Sequence, residues 1–152
     1  MATSNAQQVQ SIDLNKYCGK WYVIAVIPTR FDKDWEYVTE TYTLKEKSKI
    51  GIYTTYVKKG KTETQFVNSK GFPCKDKNNV AWKVQFVWPF KADYLIEELD
   101  QDYTYTVVGH PKKKFLYIMN RTGKMDVALY NEIVKCLAEK GYDMTKLRKV
   151  LQ

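Results

Sequence analysis

Hydrophobic and polar residues alternate along most of this chain, in short runs that turn-forming residues separate. A period of two places successive side chains on opposite faces of a β-strand, so one face can be buried while the other is solvated. β-Branched and aromatic residues, which favour strands, dominate the runs. The pattern predicts eight strands, at residues 21–27, 37–44, 50–57, 64–72, 80–88, 94–100, 103–109 and 115–120.

The period becomes helical near residue 126. Leu129, Ile133 and Leu137 recur on one face, Asp126 is a suitable N-cap and Gly141 is a typical helix stop. Because an amphipathic helix of this length needs a surface to cover, we expect its apolar stripe to lie against the outside of the sheet.

Eight strands with short connections predict an antiparallel meander, whose two edges disappear only if the sheet closes. A closed barrel of eight strands is just wide enough to hold one small ligand. The alternative is a barrel or sandwich filled by its own side chains. Empty space is favoured because small and polar residues fall on the face that begins at Trp21, namely Glu40, Thr54, Ser69, Gly71, Glu98 and Gly109. The predicted fold class is all-β, an eight-stranded antiparallel up-and-down β-barrel with one C-terminal α-helix packed outside.

The composition is that of a folded, basic protein. The chain has 152 residues, a net charge of +8 and 44% hydrophobic residues, an apolar share too high for disorder. No stretch approaches the roughly 20 apolar residues that a membrane span needs, and residues 1–10 lack the apolar core of a secretory signal. We expect a disordered polar N-terminus at 1–11 and a single domain at 12–152.

Cysteine and histidine are too few for the usual reactive sites. Cys18, Cys74 and Cys136 form no Cys-x-x-Cys pair, which excludes a zinc ribbon or a dithiol redox site, and at most one disulfide could join two of them. Plain thiols are favoured, since cysteine commonly behaves as a small buried hydrophobe. With His110 as the single histidine, we expect no metal, no cofactor and no catalytic residues.

Three sequence blocks occur in a recognisable order. Residues 13–22 form a polar turn that runs into Gly-x-Trp, residues 99–103 form a tight turn, and residues 116–122 form a strand that ends in Arg-Thr. Together they resemble the three structural blocks of the lipocalins. The resemblance extends over roughly residues 12–150 and is greatest to bacterial outer-membrane lipocalins, plant temperature-induced lipocalins and apolipoprotein D.

The resemblance implies a barrel open at one end, with Gly19, Trp21 and Arg121 as structural residues at the closed end and Arg121 stacked on the indole. It implies binding and transport or storage of a small hydrophobic ligand, a fatty acid or a lysophospholipid, including a role in cell-envelope lipid maintenance. It further implies a monomer or homodimer in the periplasm or outer membrane of a bacterium after signal removal, with the cytoplasm as the alternative. Cys136 lies within the predicted helix, so the family's disulfides are not transferred.

Strand alternation from Trp21 predicts which side chains line the cavity. The predicted ligand-binding residues are Ala25, Ile27, Glu40, Tyr42, Ile52, Thr54, Tyr56, Val67, Trp82, Val84, Phe86, Trp88, Tyr94, Ile96, Tyr105, Val107, Phe115, Tyr117 and Met119. Apolar walls with several phenols suit a long hydrocarbon chain with a polar end.

The loops at the predicted mouth carry nine cations against five acids, which leaves about +4. This basic collar would attract an anionic head group or an anionic membrane surface, and it includes Lys112, Lys113 and Lys114. The alternative is ordinary solvated lysine. The alternative functions are a lipocalin-type enzyme, a binder of a retinoid, a terpenoid or haem, with His110 as the residue that could ligate haem iron, and nucleic-acid binding, which the inward aromatic residues disfavour.

Overall fold

The computed structural model describes residues 9–87 and 90–152. These residues fold into a closed antiparallel β-barrel with a helix on its outer wall. The predicted fold class is confirmed, and two short elements join it. The elements are α1 (Leu14–Tyr17), β1 (Gly19–Ile27), β2 (Trp35–Leu44), β3 (Ile50–Lys58), β4 (Thr64–Pro73), β5 (Ala81–Val87), β6 (Phe90–Leu99), β7 (Tyr105–Gly109), β8 (Leu116–Asn120), α2 (Val127–Glu139) and β9 (Arg148–Lys149). The first eight residues of the expected disordered N-terminus lie outside the described residues.

Each strand of the barrel pairs with its neighbours in chain order, and β1 closes the ring by pairing with both β8 and β2. The start of the seventh strand differs from the prediction. Tyr103 has a φ of 57° and donates its backbone N–H to Asp100 O, so it belongs to the turn and β7 begins at Tyr105.

A bulge in β1 reverses the inward face of its second half. The pairing with β8 shifts between Val23 and Ala25, so Val26 packs in the interior while Ala25 and Ile27 pack outside, beneath α2. The prediction that Ala25 and Ile27 line the cavity is therefore wrong, because one extra residue exchanges the two faces of a strand.

The predicted inward face of β7 is also wrong. Val107 is fully buried and Tyr105 half-buried, but both pack against the helix in the outer cluster. Directly paired residues share a face, and β8 pairs its inward Met119 with Thr106, so Thr106 faces the interior. A bulge between Ile96 and Glu98 likewise separates Glu98 from the inward run of β6.

Near the mouth, β5 also leaves its simple alternation. The pairing with β6 shifts between Gln85 and Val87, and Phe86 is 61% exposed instead of lining the cavity as predicted. The predicted lining residue Trp88 lies outside the described residues.

Helix α2 covers the outer wall as expected, with Ile133 and Leu137 buried against it and the Asp126 carboxylate capping Leu129 N–H. Tyr142, beyond the helix, donates its hydroxyl to Glu97 Oε2 at 2.5 Å. Glycine is required opposite it, because a Cβ at Gly109 would lie 2.0 Å from the Tyr142 hydroxyl. Among the described residues, no helix has the length and apolar character to span a bilayer.

The C-terminal segment, residues 148–152, fills a gap that the sequence analysis did not foresee. β1 pairs with β2 only from Gly19 to Tyr22, so the two strands separate towards the mouth. The segment bridges them there: Val150 N–H donates to Ile24 O on β1, and Leu151 O accepts from Tyr37 N–H on β2. The barrel is thus sealed on this side by its own C-terminal residues.

Candidate ligand-binding interior

Arg121 closes one end of the barrel. Its Cζ lies 3.7 Å from the ring centroid of the fully buried Trp21. The same guanidinium donates four hydrogen bonds to backbone oxygens of three separate segments, at Lys16, Tyr17, Lys20 and Tyr103. Gly19 lies directly beneath it, where a Cβ would be 3.1 Å from Nη1. An arginine fork stacked on an indole therefore ties α1, β1 and the β6–β7 turn together.

Above this closure, aromatic rings occupy the lower half of the interior. Tyr17, Tyr42 and Trp82 have centroids 5.4–6.0 Å apart, and Tyr94 stacks on Trp82 at 5.0 Å. The phenols satisfy one another, since the Tyr42 and Tyr94 hydroxyls are 2.6 Å apart. Burial raises the pKa of these phenols, so the chain of hydroxyls stays neutral.

The open interior predicted from small inward residues is largely taken up by these rings. A Cβ at Gly71 would lie 3.1 Å from Trp82 Cε3, so the glycine makes room for a facing indole instead of leaving a void. In the mouth half a cavity of about 20 Å³ lies under the β1–β2 loop. That volume suits roughly one water molecule, whereas pockets for drug-sized ligands measure about 300–1,000 Å³.

This cavity has a polar side that the sequence analysis missed. Asp32 turns inward from its loop: its Oδ2 accepts from the Tyr117 hydroxyl and its Oδ1 from Thr29 N–H and Oγ1–H. Arg148 lines the same cavity, and its Nε is a buried donor without a partner among the described residues. Neither residue could be predicted from the sequence to line the cavity, because the position of each depends on how a loop or the C-terminal segment folds.

Trp35 covers the cavity from the mouth. Its ring stacks on Tyr56 at 3.6 Å, with an interplanar angle of 5°, and its buried Nε1 has no partner among the described residues. A tryptophan two residues before the predicted strand at 37–44 was a signal that the alternation pattern did not use.

Thirteen predicted lining residues do lie on the interior face. They are Glu40, Tyr42, Ile52, Thr54, Tyr56, Val67, Trp82, Val84, Tyr94, Ile96, Phe115, Tyr117 and Met119. His110, weighed as a haem ligand, is buried at the end of β7 and accepts from Lys112 N–H through Nδ1, as a turn residue does. All three cysteines are thiols.

Glu40 is a carboxyl group within an otherwise apolar wall. Burial raises its pKa and the nearby negative charge of Asp32 raises it further, although the hydroxyl of Tyr42, which donates to Oε2 at 2.6 Å, acts in the opposite direction. A carboxyl group whose pKa is higher in the folded than in the unfolded state lowers the protein's free energy of unfolding as pH rises above the unfolded pKa of about 4.3.

Replacing Glu40 by glutamine is therefore expected to raise the free energy of unfolding near neutral pH, with little gain at about pH 4. Glutamine keeps an acceptor for Tyr42 but carries no buried charge. Urea denaturation of Glu40→Gln and wild type across this pH range measures the difference. The exposed Glu63→Gln serves as control; a pH profile for Glu40→Gln that parallels the wild type would contradict the expectation.

Comparison with known proteins agrees with this geometry. A family model described as a lipocalin-like domain matches residues 12–152. Temperature-induced lipocalin-1 of Arabidopsis thaliana is 31% identical over 153 residues, which span 95% of this chain and 81% of that protein. Outer membrane lipoprotein Blc of Escherichia coli K12 is 28% identical, spanning 95% and 81%. Lobster apocrustacyanin A1 superposes with a TM-score of 0.72 at 19% identity, over 91% and 78% of the two chains, a likeness that shows the fold.

Proposed function

We propose, from the premise that the chain belongs to the lipocalin family, that it binds a single-chain lipid, a fatty acid or a lysophospholipid, and carries or stores it. The family supports the binding of a small hydrophobic ligand in general terms. The observation that carries the finer proposal is the mouth half of the interior, where Trp35 covers a small cavity with an apolar side, formed by Val26, Val38 and Val150, and a polar side that includes Asp32 and Arg148.

A lipid can enter this interior only if the site opens, which favours a single acyl chain. The cavity is about 20 Å³, so entry requires the stacked rings of Trp35 and Tyr56 to move apart. Burial of a hydrocarbon chain contributes about 0.8 kcal/mol per methylene, enough over a long chain to offset the loss of one aromatic stack.

The carboxylates determine which end of the lipid enters. Asp32 and Glu40 both line the cavity, and the one cation beside them, Arg148, is already paired with Glu36. An anionic head group placed there would therefore meet a net negative wall and be repelled. The acyl chain therefore goes in first and the head group stays at the mouth, near the lysine-bearing loops. An anionic membrane surface is the source that we propose for the lipid.

Carriage is favoured over catalysis by the placement of the thiols. Cys136 is buried on α2, outside the barrel, and neither Cys18 nor Cys74 lines the cavity. The bacterial relatives named outer membrane lipoprotein Blc support a location in the cell envelope for this chain, with the cytoplasm as the alternative.

Native mass spectrometry tests the proposal. The protein is incubated with a total lipid extract and the adduct mass identified, then titrated with a fatty acid and with a lysophospholipid. Val67→Trp is expected to lower the affinity at least about tenfold, because Val67 pairs with the cavity residue Thr54 and its half-buried side chain faces the mouth half of the interior.

Phe66→Trp provides the matched control, since Phe66 is the adjacent residue, 62% exposed on the outer face. It should load lipid as the wild type does. The proposal is overturned if no lipid adduct forms, if the adduct is a haem, retinoid or terpenoid, or if Val67→Trp and Phe66→Trp load equally.

A further inference from the structure

Two phenylalanine side chains project from the open rim into solvent. Phe31, in the loop between β1 and β2, is 78% exposed, and Phe90, at the start of β6, is 75% exposed. In a ring of eight strands the β1–β2 junction lies opposite the β5–β6 junction. The two rings therefore stand on opposite sides of the mouth.

Lysines occupy the other two junctions of the rim. Lys59 and Lys61 lie between β3 and β4, and Lys112 and Lys114 lie between β7 and β8. All four are exposed, and none forms an ion pair within the described part of the chain. Around the mouth, aromatic and basic loops thus alternate.

Three of the five acids at the rim are paired or turned inward, whereas Asp34 and Glu63 are exposed to solvent. Asp32 faces the cavity, Glu36 pairs with Arg148 at 2.6 Å, and Asp93 pairs with Lys83 on the outer wall. The solvent-facing rim is therefore more basic than the count of nine cations and five acids from the sequence indicates.

One lysine of the collar is also turned away. Lys113 lies 3.9 Å from Glu97 and 4.9 Å from the ring centroid of Tyr142, so it contacts the outer wall near α2. Its neighbours Lys112 and Lys114 are left as the cations of this loop that face solvent.

We propose that the rim docks, mouth down, on an anionic lipid bilayer, with Phe31 and Phe90 inserted at the interface and the lysines of the alternating loops on the lipid phosphates. Aromatic rings partition into the interfacial region, and lysines attract anionic lipid over a Debye length of about 10 Å at 0.1 M salt. The inference rests on the proposed function, and it names the surface through which lipid enters the barrel without crossing water.

Vesicle co-sedimentation tests the docking. Wild-type protein is expected to bind phosphatidylcholine–phosphatidylglycerol vesicles at low salt at least about tenfold more tightly than vesicles of phosphatidylcholine alone. The double variant Phe31→Ser/Phe90→Ser should lose about tenfold on the anionic vesicles at any salt. Lys112→Gln/Lys114→Gln should lose several-fold at low salt and nothing at high salt.

Controls come from the same loop and from the closed end. Three control variants change charge or apolar surface away from the proposed contact: Lys113→Gln, Leu44→Ser and the pair Lys45→Gln/Lys75→Gln. Each should bind vesicles as the wild type does. Equal losses in rim and control variants would overturn the docking, as would wild-type binding by the rim variants.

Lipid loading in solution separates this inference from the proposed function. By native mass spectrometry, Phe31→Ser/Phe90→Ser should still take up micelle-free fatty acid, since neither ring lines the described cavity. Loading without vesicle binding by the wild type overturns the docking alone. Vesicle binding without any loading overturns the proposed function, and with it the reason for docking.

Discussion

Replacing Arg121 by alanine is expected to lower the free energy of unfolding by about 3 kcal/mol. The change removes a guanidinium that stacks on Trp21 at 3.7 Å and donates to four backbone oxygens. The α1–β1 region and the β6–β7 turn, which are far apart in sequence, then lose their common partner, and the indole that closes the barrel is opened to water.

Arg121→Lys separates charge from geometry. An ammonium keeps the charge but cannot present a planar fork to several carbonyls, so lysine should recover less than half of the lost stability. Guanidinium chloride denaturation monitored by tryptophan fluorescence measures both variants. A loss below about 1 kcal/mol for alanine would show that Arg121 is an ordinary surface residue.

Removal of residues 148–152 is expected to cost about 4 kcal/mol or more. The segment supplies the buried Val150, the Arg148–Glu36 pair and the backbone bonds that join β1 to β2 near the mouth. Without it the two strands separate beside the cavity that Arg148 and Val150 line, so bound lipid should also dissociate faster.

Leu151→Ser distinguishes the segment's backbone from its side chains. Leu151 is 61% exposed, and only its backbone N–H and C=O bond to β2, at Glu36 and Tyr37. The substitution should therefore lower the free energy of unfolding only slightly. The comparison uses equilibrium denaturation and the rate at which a fluorescent fatty acid leaves the protein. Equal stability of the truncated and full-length chains would contradict a sealing role for the segment.

Alternation predicted the strands well where the ladders are regular. From Thr39 to Leu44, β2 pairs with β3 residue by residue, and the predicted inward positions Tyr42, Ile52 and Thr54 all face the interior. The helix was predicted equally well, because its N-cap Asp126, its apolar stripe and the helix stop Gly141 are local sequence signals.

Alternation failed where a strand carries an extra residue. Nothing chemical marks Ile24 or Phe86 as lying at a bulge, yet the bulge in β1 exchanges the two faces of the strand beyond it, and the bulge in β5 leaves Phe86 itself exposed. Ala25 and Phe86 were misplaced for this reason. Bulges arise from the curvature that closes the barrel, which is a property of all the strands together.

The sequence by itself determined that the chain folds as an eight-stranded barrel with an outer helix, and it marked Trp21 and Arg121 at the closed end. The barrel and the helix follow from periodicity and capping, which are local along the chain, whereas the closed-end residues follow from the resemblance of the motifs to the lipocalin blocks. Tertiary structure alone decided how much of the interior is empty, that Asp32 and Arg148 share a cavity, and that the C-terminal residues seal the gap between β1 and β2. Each of these depends on contacts between residues far apart in sequence, where the size and direction of a facing side chain cannot be inferred from either residue alone.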